Sequence, residues 1–193
     1  MSKYNMMNRR TLLASGGAAL ALAGCSNGVG NNAASRLDAR VDQTHQFLLQ
    51  NYPNSESLIQ NSKGVLYMPL MTEAALGVGG AYGQGALRIN GATVDYYSAT
   101  QATFGFQAGA QQYSHVLVFQ TDQALASFRA ASGWVAGADA YYAIPRGGLN
   151  VGADSITAQY PVVAMIFGQS GLMAGASIEG TKYARVIPSN LAP

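Results

Sequence analysis

From Ala74 to Ile89 the chain alternates so as to leave one side almost bare. Ala75, Gly77, Gly79, Ala81, Gly83 and Gly85 fall on one face of an extended strand, and Leu76, Val78, Gly80, Tyr82, Gln84 and Arg88 on the other. Asn90-Gly91 follows, the dipeptide that most readily takes the two positive φ angles of a type I′ turn, and Thr93, Val94, Tyr96 and Tyr97 lead back. The stretch reads as a β-hairpin. Glycine weakens an isolated strand, so a face of small residues requires something to approach the backbone closely: a packed helix, a sharply bent sheet or a ligand.

The 193 residues suit one domain plus a leader, and 49% hydrophobic content suffices for a sizeable core. Charge is sparse, at 10% of residues, and the formal net charge of +2 includes Lys3, Arg9 and Arg10 near the start. Without those three, eight basic residues face nine acidic ones, which argues against a basic field and a nucleic-acid partner. Residues 1–25 read as a targeting segment. Arg9-Arg10 before Thr11-Leu12-Leu13 has the form of a twin-arginine export signal, and the apolar run from Leu12 to Leu22 is too short to span a bilayer. It ends in Leu22-Ala23-Gly24-Cys25, which resembles a lipoprotein lipobox whose cysteine is acylated and becomes the mature N-terminus. Cys25 is the chain's only cysteine, so no disulfide can form within it. Ser26 after it resembles the sorting residue of lipoproteins sent to the outer membrane. The expected location is therefore the periplasmic side of that membrane.

Residues 26–34, rich in Asn, Gly and Ser, read as a flexible tether, residues 35–188 as the domain and residues 189–193 as a tail. Ser35 is placed to cap a helix whose Leu37, Val41, Thr44 and Leu48 share one face, with Phe47 beside them and Arg36, Arg40 and His45 flanking. Asn51-Tyr52-Pro53 ends it, and a short helical turn is expected over Glu56 to Gln60. Strand patterns follow at Val65 to Pro69, in the hairpin, from Phe104 to Gln111 and from Val116 to Phe119. A second full helix starts at Thr121 or Asp122 and carries Ala124, Leu125 and Phe128. Alternation resumes from Gly133 to Tyr142 and from Gly171 to Glu179. The predicted class is α+β: a mainly antiparallel, curved, barrel-like sheet of many short strands, with the N-terminal helix and one further helix packed on it.

Chemical motifs are few. The glycine run fails the dinucleotide fingerprint, which needs glycine where Tyr82 stands, and the phosphate loop, which needs lysine at Ala86. Gly175-Ala176-Ser177-Ile178-Glu179 lacks the final glycine of a nucleophile elbow, leaving a hydrolase built on Ser177 and His115 as a remote reading. His115 is expected at a partly exposed strand start, Ser177 within a strand, and Asp139 and Glu179 half-buried among apolar neighbours. Two histidines and one cysteine offer no metal set, and no metal or cofactor is expected. Arg88, Arg146 and Lys182 are candidates for phosphate, against the plainer reading of solvated cations.

Three stretches resemble the SYLF domain, or Ysc84 family. They are Ser62-Lys63-Gly64-Val65 through Pro69 into Gly77-Val78-Gly79-Gly80 and Gly83-Gln84-Gly85, then Phe104 to Gln111 with Val116 to Phe119, then Ser170 to Gly180. Gly137-Ala138-Asp139-Ala140 is similar to a fourth family segment. The resemblance runs from about Arg36 to Val186. It departs at Tyr97-Ser98-Ala99, where many members carry tryptophan before Ser-Pro, and at Phe167-Gly168-Gln169-Ser170, which lacks the family's basic approach to Gly171-Leu172. The resemblance implies a membrane-lipid module, and in bacteria an exported or lipid-anchored envelope protein. The expectation is a non-catalytic, phospholipid-binding domain held by acylated Cys25, with Arg36, Arg40 and Lys63 reaching lipid phosphate and Arg88 and Arg146 as further lipid-binding candidates. The apolar face of the first helix would either dip into the membrane interface or pack on the sheet. The alternative function is a structural or protein-interaction module with an envelope partner, the anchor being its only membrane contact.

Overall fold

The computed structural model describes residues 32–137, 142–143, 160–171 and 177–188, without the side chains of 104–108, 142–143 and 169–171. The leader with Cys25, tether residues 26–31, Asp139, Arg146, the segment 172–176 and the tail 189–193 lie outside the described residues.

Two strands dominate: β1 (Gly64–Ile89) and β2 (Ala92–Phe119), 26 and 28 residues long, pair antiparallel along their whole length. The predicted turn joins them, with Asn90 at φ 51° and Gly91 at φ 79°. The expected many short strands at Val65–Pro69, Ala74–Ile89 and Phe104–Gln111 are thus parts of two. An irregularity between the pairs Met68↔His115 and Met71↔Tyr113 falls where the first two were expected to part, and a larger one lies inside the hairpin. Pairing jumps from Leu76↔Ala108 to Val78↔Phe104, so β2 spends four residues where β1 spends two, and Gly77 turns the corner at φ 81°.

At that corner the hairpin doubles back on itself. A straight strand would hold Tyr67 and Gly85 about 60 Å apart at its ordinary rise. Instead, a Cβ added to Gly85 would collide with the Tyr67 carbonyl oxygen and Met68 Sδ, and one on Gly83 with the Leu70 carbonyl and Met71 Sδ. Of the three explanations open for the bare face, the sharply bent sheet is the one found, and Gly83 and Gly85 are filled by the chain's own backbone.

The remaining strands complete a curled half-barrel around β2. β5 (Val162–Gly171) pairs with its second half, β6 (Lys182–Arg185) with its first half, β3 (Trp134–Val135) with β6, and β4 (Tyr142–Ala143) in parallel with β5. Alternation then gives two cores from one sheet. Leu66, Met68, Met71, Leu87, Tyr97, Tyr113, Leu117 and Phe119 point inside, where helix α3 (Asp122–Ala130) adds Leu125 and Phe128. Thr121 caps α3, accepting the Ala124 N–H at 3.2 Å, as its sequence position suggested. Val65, Tyr67, Ala86, Tyr96, Val116, Val118, Val163 and Met165 point outside, where α1 (Asn32–Asn51) covers them with Ala34, Leu37, Val41 and Leu48. The six-residue α2 (Ser55–Gln60) adds Leu58.

The α+β class and curved sheet are as expected. Two local expectations are corrected. Helix α1 begins at Asn32, so Ser35 sits exposed inside its first turn, and Ala34, at 0% exposure, already belongs to the outer core. Residues 177–180 form a turn, not a strand: Gly180 takes φ 74° and Thr181 N–H donates to the Ile178 carbonyl at 3.0 Å.

The doubled-back hairpin predicts an order of glycine substitutions. Gly77→Ala meets no atom and suffers only its positive φ, costing about 1 kcal/mol. Gly85→Ala must displace backbone and costs about 3 kcal/mol or more. Urea unfolding of the two variants measures this directly, and equal costs would contradict the doubled-back arrangement.

Candidate functional site

Helix α1 uses its apolar stripe entirely on the sheet: Leu37, Val41, Thr44 and Leu48 are buried. Of the two arrangements left open for that face, packing is the one adopted. At about 100° per residue, two different flanks remain.

One flank carries Asp38, Asp42 and His45, and each meets a polar group of the hairpin. Asp38 accepts hydrogen bonds from Thr93 Oγ1 at 2.9 Å and from the Tyr96 hydroxyl at 2.8 Å. Asp42 Oδ1 pairs with Arg88 Nη1 at 2.7 Å. His45 Nδ1 and the Tyr67 hydroxyl share a hydrogen bond at 2.8 Å. Burial lowers the His45 pKa, helped by Arg88 and opposed by Asp42 and Glu56. Burial also pushes Tyr67 up to about 12, against the pull of Arg88, so the phenol keeps its proton. Both shifts fit a neutral His45 accepting from Tyr67 through Nδ1, which leaves Nε2–H as a donor. Burial, then the bond to Asp38, raises Tyr96 to about 12 as well.

Arg88 gains its position from strand periodicity. It follows Gln84 and Ala86 on the outer face of β1, just before the turn, and the side chain is 15% exposed. Its Nε is buried without a hydrogen-bond partner. Beside it a cavity of about 260 Å³ opens between α1, α2 and the β1–β2 turn, with His45, Gln60, Ser62, Tyr67 and Asn90 among its other walls.

The opposite flank of α1 carries Arg36 and Arg40, one turn apart and exposed, and Phe47, 42% exposed. Phe47 stacks on Phe167 of β5 at 5.9 Å between centroids. The structure therefore does not gather the predicted cations into one site. Arg36 and Arg40 stand together, Arg88 is on the far side of the helix, and Lys63 pairs with Asp122 at the start of α3, at 3.7 Å and largely in solvent. An exposed pair at that distance contributes little. Lys182, on β6, lays its side chain over Gly133. Sequence reasoning missed Asp42 and Tyr67. The i, i+4, i+7 spacing of Asp38, Asp42 and His45 was a legible signal for a polar flank, but nothing local named its partners.

The other candidates are placed differently than expected. His115 lies inside β2, paired on both sides and at 0% exposure, with Nε2 and the Tyr183 hydroxyl 2.8 Å apart, so it is neither a strand start nor partly exposed. Ser177 is exposed in the turn, its Oγ accepting the Glu179 N–H at 3.2 Å, and Glu179 is exposed where half-burial was expected. Among the described residues no group of three His, Cys, Asp or Glu could hold a metal ion, and no helix is long and apolar enough to cross a membrane.

The family model that matches the chain, over residues 100–190, is that of Ysc84, described as a Las17-binding protein actin regulator. No curated protein matches the chain.

Burial alone drives the His115 pKa down to about 3. The unfolded chain binds that proton near 6.5, so the contribution of neutral His115 is complete above pH 6.5 and falls as pH drops towards 3, by about 1.4 kcal/mol per unit. His115→Gln, which keeps a partner for Tyr183, is expected to flatten the stability–pH curve between 6.5 and 4 in chemical denaturation. A slope equal to wild type would show that His115 is not the group responsible.

Proposed function

The chain belongs to the Ysc84 (SYLF) family through residues 100–190, and from that premise we propose that it is a non-catalytic, lipid-anchored envelope protein whose domain binds phospholipid. The single observation that carries the lipid reading is the outer flank of α1. With its apolar stripe spent on the sheet, the helix presents Arg36 and Arg40 in register with half-exposed Phe47. Two cations and an aromatic ring on one flank suit the charged and interfacial layers of an anionic bilayer, each cation contributing about 1 kcal/mol near such a surface.

The leader supplies the rest of the reading. Arg9-Arg10 would direct export of the folded domain, and acylation of Cys25 would hold it on the periplasmic side of the outer membrane. One acyl-bearing terminus with a weak cationic face fits the general need for two signals in stable membrane attachment. Lys63 and Arg146 remain secondary candidates for headgroup contact. The family description names Las17 binding and actin regulation, and an exported address would put both out of reach of this chain.

A second reading, a protein-interaction module of the envelope, is favoured by the hairpin corner. There Leu76 and Val78 are 84% and 67% exposed. Side chains of that kind beside a bulge suit contact with another protein.

Two measurements test these readings. In flotation with anionic vesicles, the full chain bearing Cys25→Ala is expected to rise with the lipid, and adding Arg36→Glu and Arg40→Glu is expected to cut recovery at least about fivefold. Unchanged recovery removes the flank from the lipid reading; no flotation at all, with an envelope cross-link lost in Leu76→Asp/Val78→Asp, favours the protein-interaction reading. Separately, wild-type protein is expected in the membrane fraction and Cys25→Ala in the soluble one, which fractionation of the producing cells checks.

A further inference from the structure

We infer that the cavity beside Arg88 is a receptor for the phosphate group of a small phosphate ester, either the headgroup of a bilayer lipid or a free glycerol phosphate. The inference deepens the lipid reading by giving it a specific seat, distinct from the α1 flank of Arg36 and Arg40.

The wall chemistry selects an anion. Arg88 is the one fixed positive charge among the lining residues, and none of them is acidic. Gln60, His45 and Asn90 bring further N–H groups. Gln60 donates one N–H to Glu56, which orients its amide and leaves the second N–H, whereas Ser62 spends its single proton on the Ile59 carbonyl. Asp42, 59% exposed, takes the guanidinium's Nη1, and Nε is buried without a hydrogen-bond partner. Guanidinium forks favour bidentate bonding to phosphate, which Lys at the same place would not reproduce.

Size sets the class of ligand. About 260 Å³ falls below the span of roughly 300–1,000 Å³ that encloses drug-sized molecules, so a phosphate with a small polar substituent fits and acyl chains do not. A membrane lipid would therefore leave its chains in the bilayer and offer only its headgroup.

Asp42 competes with the ligand for Arg88, and this makes the test two-directional. The full chain bearing Cys25→Ala is titrated with glycerol 3-phosphate, following the His45 ring by NMR, and its folding is checked by thermal unfolding. Saturable binding is expected, weakened at least about tenfold in Arg88→Gln and comparably in Arg88→Lys, and strengthened severalfold in Asp42→Asn, a gain that damaged folding cannot mimic. Absence of saturable binding, wild-type affinity in folded Arg88→Gln or Arg88→Lys, or weaker binding by folded Asp42→Asn overturns the inference. Flotation on anionic vesicles separates the sources. If Arg88→Gln loses flotation too, the ligand is a bilayer headgroup; if it floats normally but no longer binds glycerol 3-phosphate, the cavity serves a free ester. Wild-type protein that binds glycerol 3-phosphate but does not float removes the membrane reading and keeps this one.

Discussion

Gly85 lies so close to the Tyr67 carbonyl that no side chain fits between them, and this approach turns a long hairpin into a half-barrel. Everything else follows from the fold-over. Because β1 returns upon itself, its two halves present one face to a shared interior, and Leu66, Met68 and Leu87 meet there with α3 and the aromatic residues of β2 and β6. The other face becomes convex and needs a cover, which α1 provides. Glycine at 83 and 85 is thus a packing requirement, whereas glycine at 77 and 91 is a dihedral one.

The cover determines what α1 has left to offer. An amphipathic helix lying in a membrane exposes its apolar stripe; here Leu37, Val41 and Leu48 are withheld from solvent, and only the flanks remain. The flanks differ in kind. Asp38, Asp42 and His45 are tied to the sheet by short polar contacts, while Arg36 and Arg40 face outward. Arg36 and Arg88, both lipid-binding candidates on sequence grounds, consequently sit in unlike settings: one exposed, the other at 15% exposure beside a carboxylate.

Features set by near neighbours were legible in the sequence. The Asn90-Gly91 turn, the stripe of α1, the Thr121 cap and the two faces of β1 depend on dihedral preference or on periods of two and 3.6 residues. Features set across the chain were not. His115 reads locally as a strand start because Tyr113-Ser114 precede it, yet β1 on one side and β5 on the other bury it completely, and its partner Tyr183 is 68 residues away. Joining Val65–Pro69 to the hairpin likewise required the irregular pairing with β2 between Met68↔His115 and Met71↔Tyr113. The cavity beside Arg88 is assembled from α1, α2 and the turn, so no single stretch announces it.

The polar contacts of α1 have a role that burial cannot fill. Apolar attraction is non-directional, and a stripe of Leu37, Val41, Thr44 and Leu48 would tolerate a slide of one turn, about 5.4 Å, with modest loss. Such a slide would bring Asp38 to Arg88 and Asp42 to Tyr67, strand His45 past its phenol, and leave the hydroxyls of Thr93 and Tyr96 without an acceptor. Arg88 and Tyr67 would each regain a carboxylate, but the two bonds from Thr93 and Tyr96 would be lost at about 1.5–3 kcal/mol each, and those two terms disfavour the wrong register. Burial of the stripe therefore holds the helix on the sheet, and the aspartates fix where along the sheet it rests. That fixed position also keeps His45 and Arg88 in the walls of one cavity, so the contacts that set the helix's register also shape this recess.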